Sequence, residues 1–160
     1  MGFNKIKKEI TPIFLAHGFE CIRNSSDYVV FQNSAQDIKI TLDIARRGPP
    51  SLMGEFLRHL EAGEWKVPPP ALRLNVSLGF KRWWYSVDAD RFRIEMPERA
   101  AYFYTSKTEL SAAAHKLTDY ALNRIYPYAQ AIVDHAVYVQ KSDYETLFHQ
   151  VQENAQEREA

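Results

Sequence analysis

Residues 38–45 alternate apolar and polar side chains with a period of two, which constrains the fold of this chain more than any other feature. The apolar set is Ile38, Ile40, Leu42 and Ile44. A strand of this period has one face to bury and one to leave in water. Residues 28–31 form a second apolar run, and turn residues at 33–36 separate the two. The pattern therefore predicts an antiparallel hairpin whose apolar face other elements must cover.

Periodicity predicts the remaining elements. Apolar residues at steps of three and four predict an N-terminal helix over 3–17, with Pro12 bending or splitting it and Gly18 as its left-handed cap. Alternation or β-rich composition predicts further strands over 19–23, 72–78, 83–87, 92–96 and 101–104, the last being either a strand or the entry to a helix.

The C-terminal part has the pattern of helices. Ser106 and Glu109 have capping-box spacing, and an apolar stripe follows at Leu110, Ala114, Leu117, Ala121 and Ile125. Pro127 predicts either one kinked helix or two helices. A last helix is expected from Ser142, with a frayed polar tail over 153–160. We therefore predict an α+β fold, an antiparallel β-sheet with an N-terminal helix and two to three C-terminal helices packed on one face. It forms one domain over 1–160, in which 145–160 is peripheral.

The intervening segment, residues 48–70, is the least regular. A short helix is expected over 51–60, with Ser51 as its cap and Leu52, Phe56 and Leu60 on one face. Gly63 ends that helix, and the proline triplet at 68–70 predicts a stiff connector. The sequence does not indicate a role for this segment.

Composition narrows the function classes. The 160 residues carry 20 basic and 20 acidic side chains, so the net charge of zero disfavours nucleic-acid binding. The single cysteine, Cys21, indicates a reducing compartment. No apolar run approaches the ~18 residues of a membrane span, and the charged start lacks the pattern of a signal peptide. We expect a soluble, cytoplasmic protein without membrane contact.

Signals for chemistry are few. His115 and Asp119, and likewise Glu55 and His59, lie four residues apart, a spacing that favours surface pairs over metal ligands. Cys21 lies in a predicted strand and is expected to pack. No nucleophile elbow, phosphate-binding glycine loop or carboxylate pair appears. We therefore predict no catalytic residue, no metal site and no cofactor.

The segment 81–85, Lys-Arg-Trp-Trp-Tyr, is the strongest candidate for binding. Consecutive residues of a strand face opposite sides, so one tryptophan is left exposed beside arginines unless both faces of the sheet are covered. Exposed Trp, Tyr and Arg side chains are typical of protein interfaces; the alternative is that these aromatics fill the core. Adjacent arginines before Gly48 are a further candidate anion-binding pair. The predicted binding residues are Arg82, Trp83, Trp84, Tyr85, Arg91, Arg93, Arg46 and Arg47.

The order of the signals resembles a group of small uncharacterised bacterial α+β domains. The matching pieces are a helix ending in a Gly-Phe pair, residues 10–19; the hairpin, 28–44; and a late helix with a proline, 120–132. Some of these domains look like immunity proteins, which bind and neutralise a cognate toxin. The resemblance implies a binding role and transfers no functional residues.

Together these patterns predict a non-enzymatic protein-binding module whose partner is another protein. One alternative is a small enzyme or ligand-binding protein with a pocket between sheet and helices. A homodimer through Leu147 and Val151 is a further alternative for the partner.

Overall fold

Two strands of alternating apolar residues, Ile38–Ala45 and Ala71–Phe80, pair with each other within the sheet.

The computed structural model describes residues 2–80, 83–88 and 100–136, apart from the side chains of 80, 83–88, 132, 135 and 136. The helices are α1 (Gly2–Ala16), α2 (Met53–Glu61), α3 (Lys107–Tyr120) and α4 (Tyr126–Ala136). The strands are β1 (Phe19–Asn24), β2 (Tyr28–Asn33), β3 (Ile38–Ala45), β4 (Ala71–Phe80), β5 (Trp83–Asp88) and β6 (Ala101–Phe103).

The described strands form one antiparallel sheet in the order β1-β2-β3-β4-β5. The first residues of β4 pair with β6 and its last residues pair with β5. The predicted hairpin is confirmed, because Phe31 pairs with Ile40 and Val29 with Leu42. The predicted strand over 92–96 and the helix from Ser142 lie outside the described residues.

The main core lies between one face of this sheet and three helices. Ile38, Ile40 and Leu42 of β3 are fully buried there, with Leu72, Leu74, Val76 and Leu78 of β4. Helices α1, α3 and α4 contribute to the same core. Stacked rings join the layers, since Phe14 of α1 lies 3.9 Å from Phe31, centroid to centroid. The α+β arrangement, with the terminal helices on one face of the sheet, is as predicted.

Proline has a different effect in each long helix. Helix α1 continues through Pro12, whose side chain is exposed, so the carbonyl that loses its donor lies on the solvent side. A π-helical turn, Ala121–Ile125, joins α3 to α4 and ends two residues before Pro127. In it the Tyr126 N–H donates to the Ala121 carbonyl, five residues back. The helix is therefore continuous from α3 to α4, with one wider π-helical turn just before Pro127.

The cap predictions have mixed outcomes. Gly18 has a φ of 82°, as the predicted left-handed cap requires. The Ser106 hydroxyl accepts from the Glu109 N–H at 3.1 Å, so the cap of α3 is confirmed. The prediction for Ser51 was wrong, because a 3₁₀ turn over Pro50–Leu52 leads into α2 and no side chain caps that helix.

The segment before β4 covers the second face of the sheet at one end. Strand alternation places Ala71 on the face opposite Leu72, and Ala71 packs with Leu52 and Ala101 in a separate apolar cluster. Phe103 packs against this cluster. The 48–70 segment therefore holds α2 against the sheet on the side away from α1 and α3.

Candidate functional site

The structure places the predicted aromatic residues on β5. Trp83, Trp84 and Tyr85 pair in register with Phe80, Gly79 and Leu78 of β4. The side chains of these three residues are not described, and Arg82, Arg91 and Arg93 lie wholly outside the described residues. The predicted binding surface around them stays a prediction.

The arginine pair lies at the other end of the sheet. Arg46 and Arg47 follow β3 where Ala45 pairs with Ala71, whereas Trp83 pairs with Phe80. Phe80 lies nine residue steps along β4 from Ala71, about 30 Å at the usual strand rise. Both groups were predicted to bind a partner, but the fold does not bring their backbones together.

Arg46 is engaged by the chain itself. Its Nη2 lies 2.9 Å from Asp27 Oδ1, and both side chains are well exposed. An ion pair in such a position stabilises the fold by at most about 1 kcal/mol. Nearby, burial raises the pKa of the Tyr104 hydroxyl. The positive charge of Arg46 lowers this pKa in part, and the negative charge of Asp27 raises it further. Arg47 is exposed.

A polar cluster occupies the second face of the sheet, opposite the main core. Asp43 accepts from Arg73 through both carboxylate oxygens, at 3.2 and 2.7 Å, and from Asn75 Nδ2 at 3.3 Å. A bidentate arginine stabilises the ionised carboxylate. This arrangement suits a structural ion pair between β3 and β4 better than a general base, because the oxygens of Asp43 are already engaged.

Another cluster of reactive side chain types joins α1 to α3. Glu9 Oε2 accepts from Ser111 Oγ at 3.1 Å and lies 3.3 Å from His115 Nε2. In nucleophilic catalysis a histidine must bond to the serine it deprotonates. Here the carboxylate stands between the two, so the geometry ties the helices together and does not activate Ser111.

Among the described residues, no group of three or more His, Cys, Asp or Glu side chains is placed to hold a metal ion. The enzyme alternative expected a pocket between sheet and helices. The groove observed beside Glu9 lies instead between α1 and α3, and it is lined in part by Lys5, Lys107 and Ser111.

Helix α2 presents the feature that sequence reasoning missed. Met53, Leu57 and Leu60, here called the α2 apolar face, are 40 %, 47 % and 42 % exposed. Their spacing of four and three residues places them on one side of the helix. Of the three residues predicted to share one face of this helix, Leu52 and Phe56 are buried, whereas Leu60 is exposed. Five large apolar residues within 52–60, more than one packing face needs, were the available signal.

The end of α2 is fixed to the rest of the fold. Gly63, with a φ of 75°, lets the chain turn back, and the N–H groups of Glu64 and Trp65 both donate to the His59 carbonyl. The Trp65 ring then stacks on the His59 ring, 3.8 Å between centroids, and meets the ring of Phe103 edge-on at 5.3 Å. The exposed face therefore belongs to an anchored helix.

No helix in the described part of the chain is long and apolar enough to cross a membrane. In comparisons with known proteins, no family model matches the chain, and no curated protein or solved structure is significantly similar to it.

Proposed function

We propose that this protein is a non-enzymatic protein-binding module and that the α2 apolar face is a contact surface for its partner. The observation that carries the proposal is the exposure of Met53, Leu57 and Leu60 together on one side of one helix. Single exposed apolar residues are ordinary, but a contiguous group surrounded by polar residues marks interaction surfaces.

The surroundings of this face have the composition of an interface. Arg58, Glu61, Glu64 and Lys66 are exposed on α2 and directly after it. An apolar centre with a polar, mixed-charge margin is the usual organisation of a protein–protein contact. Because Trp65 and Phe103 hold the helix end in place, binding costs little additional ordering of the backbone.

The size of the face indicates a separate partner rather than an obligate dimer through α2 alone. A standard interface buries about 800 Å² on each partner. Three side chains, each less than half exposed, supply only the centre of such an area. A partner with an apolar groove or helix that extends over the polar margin fits this face. If the immunity-like resemblance holds, that partner is a toxin.

The experiment is quantitative capture of partners from the source cells with wild-type protein and the double variant Leu57→Asp/Leu60→Asp. Buried charge opposes association strongly, so we expect the variant to lose a stoichiometric partner by at least about tenfold in affinity. Leu15→Asp is the matched control, because Leu15 is 53 % exposed on α1, away from α2. All variants are checked for folding by circular dichroism.

Retention of the same partner by the double variant would contradict the α2 face as the contact surface. A parallel Trp84→Ala variant tests the surface predicted from the sequence. Partner loss in Trp84→Ala alone would transfer the contact to β5, and the absence of any specific partner for the wild type would contradict the binding function itself.

A further inference from the structure

Helices α1 and α3 lie side by side and run in the same direction. Gly2 lies beside Lys107 at their starts, and Glu9 bonds to Ser111 and His115 further along. Between them is a solvent-open groove of about 640 Å³. That volume is in the range of sites for small molecules, about 300–1,000 Å³.

Two lysines, Lys5 and Lys107, border this groove together with the carboxylate of Glu9. Neither Lys5 nor Lys107 makes an ion pair or a hydrogen bond with any residue in the described ranges. Lys5 and Glu9 have the i, i+4 spacing that commonly forms a pair on a helix. Glu9 bonds to Ser111 and His115 of α3 instead, so its carboxylate lies in the groove but leaves the Lys5 ammonium free to bind a ligand.

The stem of Lys107 passes close to the backbone of α1. A Cβ at Gly2 would lie 3.1 Å from Lys107 Cγ, so an alanine there would require the lysine side chain to shift by a few tenths of an ångström. The rest of the groove is lined by the backbone of Gly2, by the polar side chains of Glu9, Thr108 and Ser111, and by the apolar side chains of Ile6 and Ala112. Ammonium and hydroxyl donors beside a small apolar surface suit a ligand with an anionic oxygen group and a modest organic part.

We propose that the α1–α3 groove binds a small phosphorylated molecule, with Lys5 and Lys107 holding the phosphate. A phosphate group offers several anionic oxygens to two ammonium groups at once, which a single carboxylate does less well. The groove is separate from the α2 apolar face, since α1 and α3 cover the opposite face of the sheet from Leu52. The inference is therefore independent of the proposed function.

The test is titration of ¹⁵N-labelled protein with inorganic pyrophosphate, followed by amide shifts, against sodium chloride of equal ionic strength. We expect saturable shifts confined to residues 2–9 and 107–112. In Lys5→Gln/Lys107→Gln the affinity should fall by about tenfold or more. Lys66→Gln is the control, because it removes an exposed lysine from the segment after α2.

Three results would overturn the proposal: equal shifts with sodium chloride, unchanged affinity in the double variant, or equal weakening in Lys66→Gln. The amide spectrum of each variant also reports its folding. If the double variant does not fold, the single variants carry the test, each expected to weaken binding by about threefold.

Discussion

Two buried polar side chains on the helices differ in how their polar atoms are satisfied. Lys7 is 5 % exposed, and its ammonium donates to Asn24 Oδ1 at 2.6 Å and to the Ser25 carbonyl. Thr118 is 1 % exposed, and its hydroxyl has no hydrogen-bond partner among the residues that the structure describes. A satisfied buried cation ties α1 to the β1–β2 turn, whereas an unsatisfied buried hydroxyl costs stability.

Lys7 makes stability depend on pH. Burial lowers the pKa of its ammonium below the ordinary 10.5, with Cys21 and Asp27 opposing the shift. Between the lowered pKa and 10.5 the unfolded chain binds more protons, so the free energy of unfolding rises with pH in that window. We expect the stability difference, wild type minus Lys7→Met, to increase between about pH 7 and about pH 10 in urea unfolding.

The control for this measurement is Lys8→Met, which removes one positive charge from an exposed neighbouring position. A difference for Lys7→Met that stays constant or decreases with rising pH would show that the ammonium is not destabilised by burial.

Replacing Thr118 by valine should stabilise the protein. The variant exchanges an unpartnered buried hydroxyl for a methyl group of similar shape, and the helix propensities of the two residues are close. We expect the free energy of unfolding to rise by about 1 kcal/mol. Thr108→Val, at an exposed position of the same helix, should change it by less than about 0.5 kcal/mol. A destabilised Thr118→Val would mean that the hydroxyl does have a partner.

At the scale of elements, the β2–β3 turn depends on one side chain. Asn33 is buried, and its Oδ1 accepts from the N–H groups of Asp37 and Ile38 while its Nδ2 donates to Asp37 Oδ1. Nδ2 also reaches Gln130 of α4 at 3.5 Å. The asparagine therefore replaces backbone partners that a turn of this shape leaves open.

Asn33→Ala should weaken this element. Removal of the side chain leaves two amides without their acceptor, one of them on the buried Ile38, so we expect a loss of about 2 kcal/mol in the free energy of unfolding. Ser34→Ala, at an exposed position in the same turn, is the control. Equal denaturation midpoints for the two variants would contradict the role given to Asn33.

At the scale of the whole molecule, the two faces of the sheet have different coverings. Helices α1, α3 and α4 bury one face along β3 and β4, whereas the second face has Leu52 at one end and the Asp43–Arg73 ion pair beyond it. The two proposed binding surfaces follow from this division, because the α2 apolar face belongs to the second side and the α1–α3 groove to the first.

Local chemistry made much of the fold predictable from the sequence. Whether a residue in β3 or β4 points inward depends on the two-residue period of a strand, and this period is visible in the sequence as the alternation of apolar and polar residues. The caps at Gly18 and Ser106 are likewise local, because φ preference and a hydrogen bond three residues away decide them. The stripe from Leu110 to Ile125 is buried as its spacing predicted.

The candidate sites were not predictable in the same way. The exposure of Leu57 and Leu60 depends on how much of α2 is covered by other segments of the chain. The spacing of apolar residues within the helix does not indicate how much is covered. Glu9 bonds to residues 102 and 106 positions away, so only packing of α1 on α3 decides that Lys5 and Glu9 do not form an ion pair. The sequence by itself determined the elements and their inward faces through short-range period and capping; the tertiary structure decided which apolar and charged groups are left uncovered, because that depends on contacts between distant segments.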